Sequence, residues 1–188
     1  DYGEFRTQPE DFHEMYRDAV EPMPHMQPKP RGLPFKTTAF VDASHASNKI
    51  TRRSHTGFVI FLNRAPVIWY SKRQNTVEGS AFSSEFVALK CMTETVQAFR
   101  FKLRMFGLII DEATHVFGDN ESVIKNCTKV ESVLNRKHNS IAYHYVRWCV
   151  AAGIITIAWI SSANNLADVF TKSLTVAVRE ALFGSFTY

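Results

Sequence analysis

The spacing of hydrophobic positions changes near residue 80. Before it, three runs at 37–42, 56–62 and 66–72 alternate between apolar and polar residues, and a short polar link joins the second run to the third. Alternation with a period of two is typical of half-buried strands, so these runs predict an antiparallel three-stranded meander. From residue 80 to about Gly107 apolar residues recur at helical spacing, which predicts one long helix.

The second half of the chain alternates between predicted strands and predicted helices. The patterns indicate strands at 115–119 and 154–160 and helices at 121–128, 140–152 and 166–174. A meander followed by helix-linked strands is typical of an α/β fold. We therefore expect a mixed five-stranded sheet, made of the three-stranded antiparallel meander and two parallel strands, with flanking helices.

Proline density sets the first residues apart from the rest. Residues 1–34 hold six of the seven prolines and more acids than bases, a composition that prevents regular structure outside a short helix at 11–20. We expect residues 1–34 to form a linker or tether, residues 35–174 a single domain, and residues 175–188 a helical C-terminal tail.

Charge and hydropathy narrow the classes of function. The chain carries a net charge of +4, and because the first segment is acidic the remainder is more basic than this value indicates. A basic body suits a polyanionic partner, although a soluble surface rich in lysine and arginine would have the same composition. The longest apolar run, 148–160, is too short to cross a bilayer and the first residues are polar, so we expect an intracellular protein without membrane contact.

Four acids stand at positions that suggest a metal site. Glu85 lies within the predicted long helix, along the apolar stripe marked by Phe82 and Leu89, where a lone carboxylate would be costly. The cost disappears if other carboxylates converge there around divalent cations. The candidates follow two strands or lie on predicted helices, and they are Asp42, Glu85, Asp119 and Asp168.

Each of these acids except Glu85 also has a simpler interpretation. Asp42 could begin a turn, and Asp119 could cap the next helix. Asn165 could cap the last helix with Asp168 at its third position, and Lys172 could pair with Asp168 at i+4. Glu85 has no such simpler interpretation, because its capping-box partner would be Phe82, whose side chain has no oxygen.

Several short blocks carry a family resemblance. In order, they are Val41-Asp42-Ala43-Ser44, residues 51–58, residues 69–74, Ser84-Glu85-Phe86, Gly118-Asp119-Asn120, Lys137-His138 with residues 143–147, and residues 166–172. Together they resemble the ribonuclease H domain of copia-type (Pseudoviridae-like) retrotransposon polyproteins, the segment that follows the reverse transcriptase. Ser44 replaces a second acid that many relatives have, and residues 161–165 lack the loop histidine of cellular ribonucleases H.

This resemblance implies a fold, an activity and partners. It implies a ribonuclease H-like sheet and a metal-dependent endonuclease that hydrolyses the RNA strand of RNA/DNA hybrids. The acids matching Asp42, Glu85, Asp119 and Asp168 would hold two Mg²⁺ ions, for which Mn²⁺ could substitute. The implied partners are the hybrid and the reverse transcriptase region of the same polyprotein, in a cytoplasmic virus-like particle or the nucleus.

A set of polar residues is expected to contact nucleic acid. Basic residues flank the meander and suit backbone phosphates, and the two histidines belong to a family block in which structural roles are an equal alternative. The set consists of Arg52, Arg53, Lys72, Arg73, Asn120, His138 and His144.

Two other functions remain open from the sequence. An inactive ribonuclease H-like remnant could bind nucleic acid or a polymerase partner without cleavage. A nuclease or integrase of the same fold could act on DNA, although integrases need a different acid spacing and a zinc-binding partner domain. Cleavage of a labelled hybrid with and without magnesium separates these functions, and the sequence gives no indication of oligomeric state.

Overall fold

From β1 onwards the elements follow the predicted order, with changes at some of their ends. The computed structural model describes residues 12–132, 134 and 139–184. The strands are β1 (Thr37–Ser44), β2 (His55–Leu62), β3 (Ala65–Arg73), β4 (Thr114–Gly118) and β5 (Ile155–Trp159). The helices are α1 (Ala81–Met105), α2 (Glu121–Thr128), α3 (Ser140–Ala151) and α4 (Val176–Phe183), with short 3₁₀ helices at Ser162–Asn164 and Leu166–Phe170.

The strands form one five-stranded sheet in the order β3-β2-β1-β4-β5. β1 pairs antiparallel with β2, and β2 pairs antiparallel with β3, which confirms the predicted meander. β4 lies parallel to β1 on one side and to β5 on the other. The mixed sheet and its flanking helices therefore confirm the expected fold class.

Side chains alternate between the two faces of the sheet, and each face has its own hydrophobic core. The larger core contains Ala39 and Val41 of β1 and packs the sheet against α1, α2 and α3. The smaller core lies on the opposite face, where Phe40 packs with residues of β2, β4 and β5 and with Ala167 of the 166–170 helix. Because side chains alternate, Asp42 shares the face of Phe40 and points towards the 166–170 helix.

The segment before β1 packs against the domain over part of its length. Phe12 is fully buried in the larger core and Ala19 is nearly so. The carboxylate of Glu21 forms paired hydrogen bonds with Arg100 and Arg104 of α1 at 2.6–2.9 Å. Within the described residues 12–20 the backbone forms turns rather than the expected helix. These contacts restrain a segment predicted to be a tether, while the domain boundaries themselves stay a prediction.

The last predicted helix is shorter than its sequence pattern indicates. Helical structure runs from Leu166 to Phe170 as a 3₁₀ helix and stops before Thr171, instead of continuing to residue 174. The reason lies in the next two side chains, because Thr171 and Lys172 turn onto Asp42. A separate helix, α4, forms within the predicted C-terminal tail. Within the described part of the chain, none of the helices combines the length and apolar character needed to cross a membrane.

Candidate active site

Strand pairing brings two of the predicted acids to the same end of the sheet. Val41 of β1 pairs with Gly118 of β4 in a parallel register. The next residues are Asp42, which still belongs to β1, and Asp119, which directly follows β4, so the two acids lie side by side. Asp42 is 1% exposed, and burial raises its pKa, opposed by a hydrogen bond from Thr171.

Glu85 reaches these acids from the second turn of α1. The helix begins at a fixed point because the hydroxyl of Ser80 accepts a hydrogen bond from the backbone N–H of Ser83 at 3.2 Å. Burial, together with the charges of Asp42 and Asp119, raises the pKa of Glu85 from 4.5 to about 9. The sequence argument that Glu85 is no capping residue is confirmed, since Ser80 occupies that position.

The three carboxylates form a donor set that suits a divalent cation. Asp42, Glu85 and Asp119 each offer one oxygen, and these oxygens lie within 4.8 Å of one another. Hard cations such as Mg²⁺ bind oxygen ligands, with carboxylates supplying some positions and water or phosphate the others. Burial and mutual repulsion hold the pKa of Glu85 high, and both effects oppose ionisation unless a cation is bound. The residues present therefore fit a bound divalent ion.

Asp168 approaches the same centre from the 166–170 helix. Asn165 anchors that helix, because its side chain donates to the carbonyl of Val41 at 3.0 Å and accepts from the backbone N–H of Ala167 at 3.1 Å. Asp168 is 8% exposed, and burial is the main cause that raises its pKa. The predicted cap at Asn165 and the i+4 pair of Asp168 with Lys172 are both present. Asp168 therefore has these structural contacts and still lies beside Asp42.

Close approach of the 166–170 helix to the sheet depends on Gly57. This residue lies opposite Asp42 in the pairing of β1 with β2. A Cβ atom on Gly57 would lie 2.5 Å from Cγ2 of Thr171 and 2.8 Å from Cβ of Phe170. Ser71 strengthens the contact, since its hydroxyl donates to the carbonyl of Phe170 at 2.6 Å. Gly57 therefore helps to place Asp168 beside Asp42.

Lys172 and Thr171 complete the site, and sequence reasoning assigned neither of them a role there. The Lys172 ammonium donates to Asp168 at 2.7 Å and to Asp42 at 3.3 Å, and the Thr171 hydroxyl donates to the other oxygen of Asp42. Burial alone would lower the pKa of Lys172, but the hydrogen bond to Asp168 and the charge of Asp42 hold it above its ordinary value. Only the i+4 spacing of Asp168 and Lys172 was visible in the sequence.

A basic cavity adjoins the end of the meander. It contains three of the four predicted phosphate contacts, and its lining is Ser47, Asn48, Arg53, His55, Lys72, Arg73 and Asn75. The fourth, Arg52, is exposed in the same loop. Hydrogen bonds link the lining of this cavity to the helix that carries Asp168, since His55 hydrogen bonds with Ser71, and Ser71 donates to the carbonyl of Phe170.

The remaining predicted contacts are placed differently. Asn120, rather than Asp119, caps α2, and its side chain accepts from the backbone N–H of Val123 at 3.2 Å. His144 lies on α3 and hydrogen bonds with the hydroxyl of Tyr16 at 2.8 Å, so it has a structural partner in the N-terminal segment. His138 lies outside the described residues. Nucleic-acid contacts by these three residues stay predictions.

Sequence comparison places the chain beside transposon proteins. It is 26% identical over 145 residues to the retrovirus-related Pol polyprotein from transposon RE1 of Arabidopsis thaliana, which covers 77% of this chain and 10% of that protein. It is 29% identical over 134 residues to the corresponding protein from transposon TNT 1-94 of Nicotiana tabacum, covering 71% and 10%. The chain thus spans about a tenth of the length of these relatives. No family model matches it.

Structural comparison concerns the fold. RNase H1 from the archaeon Halobacterium salinarum matches with a TM-score of 0.55 and 17% identity, over 72% of this chain and 94% of that one. LC11-RNase H1 in complex with an RNA/DNA hybrid matches with a TM-score of 0.56 and 18% identity, over 72% and 94%. The resemblance seen in the sequence is confirmed: the homologues of this chain are retrovirus-related Pol polyproteins of transposons, and its fold is that of ribonuclease H.

Proposed function

We propose that this chain is the ribonuclease H segment of a retrotransposon polyprotein and hydrolyses the RNA strand of RNA/DNA hybrids in a metal-dependent reaction. The observation that carries the proposal is the convergence of Asp42, Glu85 and Asp119, from three separate elements, to within 4.8 Å. Convergence of one buried and two half-buried carboxylates is unfavourable without a cation, so the arrangement favours a metal-binding function over a purely structural one.

The four acids would bind two metal ions. Asp42 is central because it neighbours Asp119 in the sheet and shares Lys172 with Asp168. Glu85 and Asp119 would complete one ion's ligands with Asp42, and Asp168 would contribute to a second ion. When bound, Mg²⁺ or Mn²⁺ supplies activation of water and neutralisation of charge at the phosphate.

Basic residues at the end of the meander would bind the substrate. Arg53, Lys72 and Arg73 line the basic cavity at the end of the meander, and their charges suit backbone phosphates. Trp69 on the edge strand β3 is 66% exposed and offers an aromatic surface on the same strand as Lys72. Contacts with 2′-hydroxyl groups would distinguish the RNA strand from DNA.

Partners follow from the relatives. Because the chain matches about a tenth of each Pol polyprotein, we propose that it acts beside the reverse transcriptase region of the same polyprotein. A ribonuclease H1 of the same fold has been crystallised with an RNA/DNA hybrid, which supports the same ligand for this chain.

The test is cleavage of three labelled substrates by the purified chain. With Mg²⁺ or Mn²⁺ we expect cuts in the RNA strand of a hybrid and intact duplex DNA, with no cleavage in EDTA. Equal cutting of hybrid, duplex RNA and duplex DNA, or cutting that needs no metal, would contradict the proposal. Binding without cleavage by a folded sample would favour the inactive remnant.

A further inference from the structure

The four acids of the site form two groups, and only one of these groups contacts a lysine of the chain. In one group, oxygens of Asp42, Glu85 and Asp119 converge within 4.8 Å. In the other group, the Lys172 ammonium lies 3.3 Å from Asp42 Oδ1 and 2.7 Å from Asp168 Oδ1. Asp42 belongs to both groups.

The chain itself holds Lys172 in this position. Gly57 and Ser71 keep the preceding 3₁₀ helix close to the sheet, and the neighbouring Thr171 donates to Asp42. Donors from residues 171 and 172 therefore each contact one oxygen of the Asp42 carboxylate, and each oxygen keeps a second lone pair that can bind a cation. An ammonium is a compact charge on a flexible stem, so it can leave without a change in the backbone.

We propose that Lys172 is a resident cation in the Asp42–Asp168 group, so that a first divalent ion binds at Asp42, Glu85 and Asp119 and a second binds only by displacing the ammonium. The inference rests on the proposed function, because it takes the acids to be metal ligands. An ammonium and a divalent ion need the same carboxylate oxygens and repel each other at this range. Lys172 thereby sets the metal concentration at which the second ion binds.

A purely structural ion pair makes a different prediction. If Lys172 only stabilises the 166–170 region, its removal lowers stability and leaves the number and affinity of bound ions unchanged. If it is a resident cation, its removal makes binding of the second ion easier. Counting bound ions therefore separates the two roles without any measurement of cleavage.

The experiment counts bound Mn²⁺ from the electron paramagnetic resonance signal of free Mn²⁺. Lys172→Met removes the charge and keeps most of the side-chain volume, whereas Lys172→Arg keeps a cation. Lys90→Met is the matched control, since Lys90 also forms an i+4 pair, with Glu94, on α1. We expect Lys172→Met to bind its second ion at least roughly tenfold more tightly than wild type, as removal of an adjacent unit charge requires. Lys90→Met and Lys172→Arg should both bind the second ion as weakly as wild type.

The outcomes distinguish this inference from the proposed function. Equal numbers and affinities of bound Mn²⁺ in wild type and Lys172→Met, with both proteins shown to be folded by thermal melting in EDTA, would overturn the resident-cation role alone. A folded wild type that binds no Mn²⁺ would overturn the proposed metal site and this inference with it. A second ion that binds more tightly only in Lys172→Met supports the inference.

Discussion

Replacing Glu85 by glutamine should stabilise the metal-free protein at neutral pH. Burial and the charges of Asp42 and Asp119 raise the pKa of this carboxyl from 4.5 to about 9. Glutamine is a neutral isostere that can still accept the hydrogen bond from the backbone N–H of Ala43. The substitution therefore removes the ionisable group and keeps the packing.

The size of the effect follows from the two pKa values. The unfolded chain releases this proton near pH 4.5, whereas the folded chain keeps it until about pH 9. The stability that the bound proton contributes is therefore complete below pH 4.5 and is lost progressively as pH rises to about 9. At pH 7, about 2.5 units above the unfolded value, the loss is about 3 kcal/mol at about 1.36 kcal/mol per unit. Glu85→Gln should then melt roughly 6–12 °C above wild type at pH 7.

The assay is thermal melting in EDTA at several pH values between about 5 and 9. The difference in melting temperature between Glu85→Gln and wild type should grow with pH, and Mg²⁺ should stabilise wild type more than the variant. Glu94→Gln is the control, because Glu94 is an exposed glutamate on the same helix. Parallel pH profiles for wild type and Glu85→Gln, or a less stable variant at pH 8, would refute the reasoning.

Three further predictions test how the site and its surroundings are held. Gly57→Ala should force the 166–170 helix away from the sheet and reduce hybrid cleavage by roughly a hundredfold, measured as kcat, while circular dichroism stays unchanged. Glu21→Gln should leave two buried arginines of α1 without a counter-charge and lower the free energy of unfolding by about 3–5 kcal/mol, measured by urea titration; an unchanged value would show that the segment is a tether. Reversing Arg52 and Arg53 to glutamate should weaken hybrid binding and reduce the salt dependence by a slope of roughly 1–2, whereas Arg179→Glu should change neither.

The sequence predicts those parts of the fold that local patterns determine. Alternation and helical spacing identify the meander and α1, because burial of one face imposes a period on the chain. The sequence predicts both Asp42 and Asp119 at strand ends; Asp119 does follow β4, whereas β1 continues past Asp42 to Ser44. The proximity of the two acids follows once β1 and β4 are parallel neighbours. Helical spacing also marks Glu85 as a candidate, because it predicts a carboxylate along an apolar stripe, where only a ligand or partner offsets the cost of burial.

Contacts between distant segments were not predictable in the same way. Lys172 shows its i+4 relation to Asp168 in the sequence, but its contact with Asp42 spans 130 positions and follows only from tertiary packing. The docking of Glu21 on Arg100, 79 positions away, likewise leaves no periodic signal. Proline density correctly indicates irregular backbone before β1, yet irregular backbone can still pack, as the buried Phe12 shows.

The most direct test of the central claim is the rate of RNA-strand cleavage in a hybrid by Asp119→Asn and wild type, measured side by side with Mg²⁺. The substitution keeps the shape of the side chain and removes its charge, so we expect a loss of at least roughly a hundredfold, as for a metal ligand. Asp111→Asn, at an exposed aspartate before β4, should cleave at the wild-type rate. Wild-type cleavage by Asp119→Asn, or no cleavage by a folded wild-type chain, would contradict the claim that these acids form the catalytic centre.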